Sequence, residues 1–231
     1  MSVPLLVAEG LEVTFGDRKV LAGASLQIGP GERLAIRGTS GSGKTTLLRV
    51  LAGIQVPDAG RLLFDGEVLS DLSDDKRSRL RLREFGFVFQ FADLVPELTV
   101  SENIALPLEF LGVRRPERNK RVRELIAAME LQKCCDQLPH SVSGGERQRA
   151  AVARAVIHRP RLLFADEPTG SLDTYSRDGA LSVLSHVVRQ FGCALILVTH
   201  DSYVAHTCER AVEMIDGCVM SANRLNPWLP D

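Results

Sequence analysis

The chain has 231 residues, of which 45% are hydrophobic and 25% are charged, and its net charge is −1. This composition is typical of a globular domain, and the balanced charge excludes a global basic field that would attract nucleic acid or an anionic membrane. No stretch approaches the ~18 apolar residues of a membrane helix, and residues 1–10 lack the pattern of a signal peptide. We therefore expect a cytoplasmic protein with reduced cysteines that reaches a membrane only through a partner.

The N-terminal part has the pattern of short β-strands separated by Gly, Asp and Pro turn signals. Apolar stretches mark strands at residues 5–15, 19–28 and 61–64. Between them, a buried-type strand at residues 34–37 leads through a glycine-rich segment into a helix predicted over residues 44–52. A strand, a glycine-rich turn and a helix in this order are the local context of a phosphate-binding loop.

The glycine-rich segment at residues 38–45 reads GTSGSGKT and fits the pattern G-x-x-x-x-G-K-[ST]. Its glycines allow backbone N–H groups to close around phosphate oxygens, and the following helix adds the positive end of its dipole. Lys44 would reach the β- and γ-phosphates of a nucleotide, and Thr45 would bind Mg²⁺. Because the flanking strand and helix are both present, a purely structural glycine turn is disfavoured.

The middle of the chain is predicted to be helical over residues 99–111 and 116–129. A further helix, over residues 144–157, starts at the segment VSGGE. Small residues at a helix N-terminus form a second place where an anion can reach the backbone N–H groups. One nucleotide cannot fill two distant anion sites, so this pattern predicts two copies of the chain paired head to tail. The alternative, a capping box formed by Ser143 and Glu146, fits the local sequence equally well.

The last part alternates a strand at residues 162–165, a helix at 175–190 and a strand at 194–198, which predicts a mostly parallel α/β sheet. The first of these strands delivers Asp166 and Glu167 at its end. Asp166 is suited to Mg²⁺, and Glu167 is suited to orient and deprotonate an attacking water. Two acids after a strand are weak evidence alone, but after a phosphate-binding loop they indicate a nucleotide-hydrolysing site.

In order and spacing, these motifs resemble those of an ABC ATPase over residues 5–219. The wording is nearest to the branch of lipoprotein-release, macrolide-efflux, haem-efflux and cell-division ATPases. The resemblance rests on the phosphate-binding loop, FGFVFQ ending at Gln90, VSGGE at residues 142–146, ADEPTGSLD at residues 165–173, and His200. Two positions depart from the commonest signature wording, since Val142 replaces Leu and Glu146 replaces Gln.

The resemblance implies an α/β fold of the P-loop NTPase type with a RecA-like core, an antiparallel β lobe and a helical lobe. It places the core and the β lobe in residues 1–88 and 159–222, the helical lobe in residues 89–158, and a tail in residues 223–231. It implies ATP and Mg²⁺ as ligands, a homodimer closed around ATP, two copies of an integral-membrane permease as partner, and no nucleic acid.

The resemblance also implies roles for single residues. Phe15 would stack on adenine, although a lone phenylalanine at a strand end is otherwise a core residue. Gln90 would reach Mg²⁺ and report to the permease, Asp173 would cross the dimer interface, and His200 would hold the γ-phosphate and Glu167. The implied nucleotide-binding set is Phe15, Gly38, Thr39, Ser40, Gly41, Ser42, Gly43, Lys44, Thr45, Thr46, Gln90, Ser143, Gly144, Gly145, Asp173 and His200. The implied catalytic residues are Lys44, Glu167 and His200, and the implied Mg²⁺ ligands are Thr45, Gln90 and Asp166.

The functional hypothesis is a motor for a permease that exports or extracts a lipophilic or amphiphilic molecule, such as haem, an antimicrobial peptide, a macrolide or a lipoprotein. The alternative is a mechanical ATPase of the cell-division type, without transport. A chromosome-type ATPase would need a long heptad insertion, which the middle of the chain lacks. The permease is expected to dock on residues 89–110, where Phe91, Leu94, Val95 and Leu98 are apolar. That these residues only pack the helical lobe against the sheet stays open.

Overall fold

The computed structural model describes residues 3–170 and 174–224. The strands in these residues are β1 (Leu6–Phe15), β2 (Arg18–Ile28), β3 (Arg33–Arg37), β4 (Ala59–Phe64), β5 (Glu67–Val68), β6 (Phe85–Phe89), β7 (Leu162–Asp166), β8 (Ala194–Val198), β9 (Arg210–Ile215) and β10 (Cys218–Arg224). The α-helices are α1 (Lys44–Leu51), α2 (Asp74–Glu84), α3 (Val100–Phe110), α4 (Arg115–Ala128), α5 (Gly144–Val156), α6 (Thr174–Phe191) and α7 (Ser202–Ala205). Short 3₁₀ helices lie at Leu69–Asp71 and Pro139–Ser141.

The chain forms two compact units, Met1–Arg81 with Gly192–Asp231, and Leu82–Phe191. In the first unit, β1 pairs antiparallel with β2 and β4, and β4 pairs antiparallel with β5. The same unit contains a second group of strands, in which β3 lies parallel to β8 and β9, and β10 lies antiparallel to β9. Every residue of β8 is buried, and only the last residue of β3 is not. Continuous burial of this kind is typical of parallel strands covered on both faces.

In the second unit, β6 and β7 form a parallel pair, and α5 packs against β6, α3 and α6. The rings of Phe85 and Phe164 meet edge to face with centroids 5.2 Å apart. A side chain at Gly86 would collide with the carbonyl oxygen of Ala155, so β6 and α5 approach each other closely. The alanine-rich face of α5 permits this approach, since four of its alanines are buried: Ala150, Ala151, Ala153 and Ala155.

The predicted α/β fold is confirmed, and the predicted strands and helices are present with bounds shifted by no more than two residues. The helix α2 was not predicted, because none of its residues is buried and no apolar stripe marks it in the sequence. Among the residues that the structure describes, no helix combines the length and the apolar character needed to cross a bilayer.

Candidate nucleotide-binding and hydrolysis site

The phosphate-binding loop lies in the first unit, between the end of β3 and the start of α1. Its backbone depends on glycine, since Gly38, Gly41 and Gly43 have φ angles of 150°, 80° and 103°. A side chain at Gly43 would come within 2.7 Å of the Val20 carbonyl oxygen and 2.9 Å of the Met214 methyl carbon. The loop is therefore held in its shape by neighbouring strands as well as by its own sequence.

Two polar side chains turn into this loop. Lys44 is only 9% exposed, and its Nζ donates hydrogen bonds to the carbonyl oxygens of Gly38 at 2.9 Å and Thr39 at 2.8 Å. The hydroxyl of Ser42 is buried and has no hydrogen-bond partner among the described residues. A buried polar group left without a partner costs about 1–3 kcal/mol, so this hydroxyl fits a loop that receives acceptor atoms such as phosphate oxygens.

The N-terminus of α1 is open to an anion. Its N-cap residue, Gly43, has no side chain to accept bonds from the first-turn N–H groups, and the first turn contains no acidic residue. Thr45 and the loop positions Thr39 and Ser40 are exposed, and Thr46 is half-buried. The positive end of the helix dipole is therefore available to phosphate.

Phe15 and His200 belong to the same unit as this loop. Phe15 ends β1 and is 55% exposed, which rules out the alternative that it is a core residue. In the parallel pair β3 and β8, Ile36 lies opposite Val198. Because parallel strands present their carboxyl ends at one edge, Gly38 and His200 emerge at the same edge, and His200 is exposed there.

Gln90, Asp166 and Glu167 lie together in the second unit. The register of β6 and β7 places Phe89 opposite Asp166, so Gln90 and Glu167 are the next residues at the same edge. The N–H of Gly170 donates to the Glu167 carbonyl oxygen at 2.9 Å, and a side chain at Gly170 would meet the Gln90 amide nitrogen at 2.9 Å. The Gln90 side chain thus lies over the turn that carries Glu167.

Glu167 has a φ angle of 45°. A non-glycine residue in this left-handed region is uncommon and is retained where the surrounding structure holds it, which happens most often at functional sites. Glu167 and Asp166 are both half-buried. Six other non-glycine residues among those described also have a positive φ, so the conformation agrees with the predicted role of Glu167 without being specific to it.

The segment of residues 143–145 starts α5. Ser143 is the N-cap: its N–H and Oγ donate to the Glu146 carboxylate at 2.8 and 2.7 Å, and its Oγ accepts from the Glu146 N–H at 3.3 Å. The capping box considered above is therefore confirmed. These bonds, from the hydroxyl first and then from the backbone, lower the pKa of Glu146. Ser143 is nevertheless exposed, and Gly144 and Gly145 are half-buried, so an anion can still approach from outside.

These features match known proteins. A family model described as ABC transporter fits residues 21–170, which include the phosphate-binding loop, Gln90, residues 142–146 and the two acids after β7. The chain belongs to this family, as an ATPase subunit.

Relatives extend over most of the chain. A lipoprotein-releasing system ATP-binding protein LolD from Bacteroides thetaiotaomicron is 40% identical over 215 residues, which cover 93% of this chain and 99% of that protein. A macrolide export ATP-binding/permease protein MacB from Syntrophobacter fumaroxidans is 43% identical over 205 residues, which cover 88% of this chain and 29% of MacB. The dimeric post-hydrolysis structure of the ATP-binding cassette MJ0796 with ADP and Pi matches with a TM-score of 0.87 and 33% identity, covering 96% of this chain and 100% of that one. The ABC ATPase described here accordingly hydrolyses ATP.

One predicted site residue of this ABC ATPase, Asp173, lies outside the described residues, as do Ser171 and Leu172. The structure describes the other predicted residues and brings them together in two groups. The first unit holds the phosphate-binding loop, Phe15 and His200. The second holds Gln90, Asp166, Glu167 and the start of α5. The individual roles assigned to these residues stay predictions.

The sequence did not reveal three side chains that fix the backbone on either side of Gln90. Asn103 is fully buried in α3, Gln148 is 2% exposed in α5, and Arg154 is a charged residue within an otherwise apolar part of α5. Each bonds to the backbone of residues 89–99. The available signal was a polar residue inside an apolar helical face, such as Arg154 between Ala153 and Ala155.

Proposed function

We propose that this ABC ATPase works as a head-to-tail homodimer in which α1 of one copy and α5 of the other hold the same ATP. The observation that carries the proposal is that one chain contains two helix N-termini suited to phosphate, and each belongs to a different compact unit. Ser143 at the start of α5 is exposed, so another molecule can reach it. The similarity to a dimeric cassette with bound ADP and Pi supports this arrangement.

In the proposed reaction, the loop N–H groups and Lys44 hold the β- and γ-phosphates and offset the charge that develops on them. Glu167 orients the attacking water and accepts its proton, and His200 positions the γ-phosphate. Phe15 holds the adenine ring by stacking. Ser143 with its neighbouring backbone N–H groups completes the site from the second copy.

The residues present fit Mg²⁺. Within the described ranges, no group of three or more His, Cys, Asp or Glu side chains could hold an ion by itself. Mg²⁺ prefers oxygen donors and usually takes one or two protein ligands together with phosphates and waters. The predicted ligands Thr45, Gln90 and Asp166 supply such oxygens, and the bound ion would neutralise phosphate charge.

The same proposal places the protein at the inner face of a membrane through a permease, present in two copies, that moves a lipophilic or amphiphilic molecule. The named activities of the LolD and MacB relatives support this class of cargo. The docking surface is the loop of residues 90–98 with the end of α3. Phe91 and Phe110 are 74% and 71% exposed, and exposed aromatic residues of this kind are typical of protein interfaces.

The composite site is tested by mixing two inactive variants. Ser143→Arg and Lys44→Ala place both lesions in one composite site of the mixed dimer and leave the other site intact. The two variant chains carry different affinity tags, both retain Glu167, and the mixed dimer is isolated by sequential purification on the two tags. If the two sites act independently, the mixed dimer should have about half of the ATPase activity of the wild-type dimer. A confirmed mixed dimer as inactive as either parent would contradict the proposal. Glu167→Gln in both copies serves as the control, because it should retain ATP, lose turnover and accumulate as dimer.

A further inference from the structure

The loop after Gln90 is held in an unusual conformation. Ala92 and Asp93 are consecutive non-glycine residues with φ angles of 63° and 45°. Side chains disfavour this left-handed region, and a pair of such residues persists only where other contacts hold the backbone. Ala92 is 3% exposed, whereas its neighbour Phe91 is 74% exposed. The strained pair therefore presents an aromatic side chain at the surface.

One side chain holds both strained residues. Arg154 donates from Nη1 to the Asp93 carbonyl oxygen at 2.7 Å and from Nη2 to the Ala92 carbonyl oxygen at 3.0 Å. Burial lowers the pKa of this guanidinium, and the negative charge of Asp93 opposes the effect. A planar guanidinium can bond two neighbouring carbonyl groups at once, which the single ammonium of a lysine does less well. The strained backbone and the arginine are thus matched in geometry.

The far end of the loop is anchored independently. The side-chain oxygen of Asn103 accepts from the Val95 N–H at 2.7 Å, and its amide nitrogen donates to the carbonyl oxygens of Val95 at 3.0 Å and Leu98 at 2.9 Å. Asn103 belongs to α3 and is fully buried. The conformation near Gln90 therefore depends on α5, through Arg154 and through the bond from Gln148 to the Phe89 carbonyl oxygen at 3.3 Å.

The helix that carries Arg154 starts at the anion-receptive segment. Residues 144–156 form one uninterrupted α-helix, which connects Arg154 to Ser143 and Gly144 through a continuous backbone. We propose that Arg154 is a positioning residue that fixes the loop of residues 90–98 to α5, so that displacement of the loop by the permease moves the start of α5 relative to the ATP held by the other copy. This rests on the proposed function in taking residues 90–98 as the docking surface and the start of α5 as part of the other copy's ATP site.

The test compares Arg154→Lys with Arg149→Lys in the complete transporter and in the isolated subunit. Arg149 is a matched control, because it lies in the same helix and its Nε donates to the Met129 carbonyl oxygen at 3.1 Å, away from the loop. In the complex, Arg154→Lys should reduce the stimulation of ATP hydrolysis by transport substrate by about fivefold or more, the lower range of allosteric coupling. ATP affinity and melting temperature of the isolated subunit should stay near those of wild type, and Arg149→Lys should couple normally.

Two further measurements separate positioning from general stability. Hydrogen exchange in residues 90–98 should accelerate in isolated Arg154→Lys and not in Arg149→Lys. Adding Ala92→Gly and Asp93→Gly to Arg154→Lys should restore part of the coupling, because glycine adopts the left-handed conformation without strain. The proposal is overturned if Arg154→Lys shows normal coupling and normal hydrogen exchange. It is also overturned if the loss of coupling is accompanied by a matching fall in melting temperature and is not restored by Ala92→Gly and Asp93→Gly.

A Phe91→Asp variant distinguishes this proposal from the proposed docking surface. It should fold and bind ATP, since Phe91 is exposed, but fail to co-purify with the permease. If it assembles and couples normally, the docking surface lies elsewhere and that part of the proposed function fails. The exchange rates of residues 90–98 in isolated Arg154→Lys would still decide whether Arg154 fixes the loop.

Discussion

The two helix N-termini that are suited to phosphate are built in opposite ways. At α1, Gly43 provides no cap, no acidic residue lies in the first turn, and the hydroxyl of Ser42 is without a partner in the described structure. At α5, the reciprocal bonds between Ser143 and Glu146 already satisfy the N–H groups of these two residues. The first N-terminus is thus uncapped, whereas the second already carries a capping box between Ser143 and Glu146.

Their glycines also serve different purposes. Gly43 is required by the fold of the chain itself, because its φ is 103° and Val20 and Met214 leave no space for a side chain. Gly144 and Gly145 lie in the first turn of α5, where any residue can adopt the helical conformation and alanine would be the better helix former. The helical conformation itself therefore does not require glycine there, and small residues at this helix start suit the proposed approach of a phosphate. This difference is the one expected from the proposed dimer, in which one site is formed within one copy and the other is completed by a second copy.

The largest effect is expected from alanine at these two kinds of glycine. Gly43→Ala should lower the free energy of unfolding by about 2–4 kcal/mol, from backbone strain and overpacking, and should abolish ATP binding. Gly144→Ala should leave the stability unchanged or raise it by up to ~1 kcal/mol, while ATP hydrolysis falls by about 10²-fold because the γ-phosphate no longer reaches the N–H groups. Urea unfolding, ATP affinity and turnover measure these changes.

Two results would contradict this difference between the glycines of α1 and α5. Normal ATP binding by Gly43→Ala would show that α1 does not depend on its glycine backbone. Full ATP hydrolysis by Gly144→Ala would show that no phosphate approaches the start of α5. Gly112→Ala is a control for positive φ alone, since Gly112 has a φ of 70° and nothing within 4 Å of the place that a side chain would occupy.

The sequence predicted the contiguous parts of this site and missed the parts that depend on distant contacts. The phosphate-binding loop and the acids after β7 each follow from one strand, one turn and one helix, so a local pattern determines them. Arg154 bonds to residues about sixty positions earlier in the chain, and no local pattern names its partners. The start of α5 shows a different limit. The local pattern of Ser143 and Glu146 correctly predicted a capping box, but it could not decide whether the same segment also binds an anion.

Replacing Phe15 is expected to have an intermediate effect, and it tests whether the first unit holds ATP by itself. If the first unit binds ATP by itself, the adenine must be held within that unit, where Phe15 is 55% exposed. Phe15→Ala should weaken ATP binding to the isolated chain by ~1–3 kcal/mol, the range of base–aromatic stacking, while Phe15→Tyr should bind normally. Ser143→Ala is the matched control, because α5 should contribute nothing to binding by a single copy. Titration calorimetry would reject the stacking role if folded Phe15→Ala bound ATP as tightly as wild type.

The smallest effect concerns Glu146, the residue that satisfies the start of α5. Hydrogen bonds from Ser143 hold the pKa of Glu146 below its ordinary value of 4.5, so its carboxylate stabilises the folded state above that pH and this contribution is lost as the pH falls through the lowered pKa. Glu146→Gln should therefore make stability less dependent on acid, by less than ~1 kcal/mol because the group is largely hydrated.

Glu102 provides the matched control for Glu146, because it forms the same capping box with Thr99 at the start of α3, and bonds from Thr99 lower its pKa as well. Glu102→Gln and Glu146→Gln should change the acid dependence of unfolding in the same direction. Only Glu146→Gln also removes a negative charge from the place where a second copy's γ-phosphate is proposed to arrive. ATP-induced dimerisation, measured by sedimentation in the Glu167→Gln background, should therefore tighten by about two- to fivefold in Glu146→Gln, a charge effect at a helix N-terminus. If Glu102→Gln tightened ATP-induced dimerisation equally, the effect would be assigned to helix stability. The proposal that a phosphate of the other copy's ATP approaches the start of α5 would then lose this support.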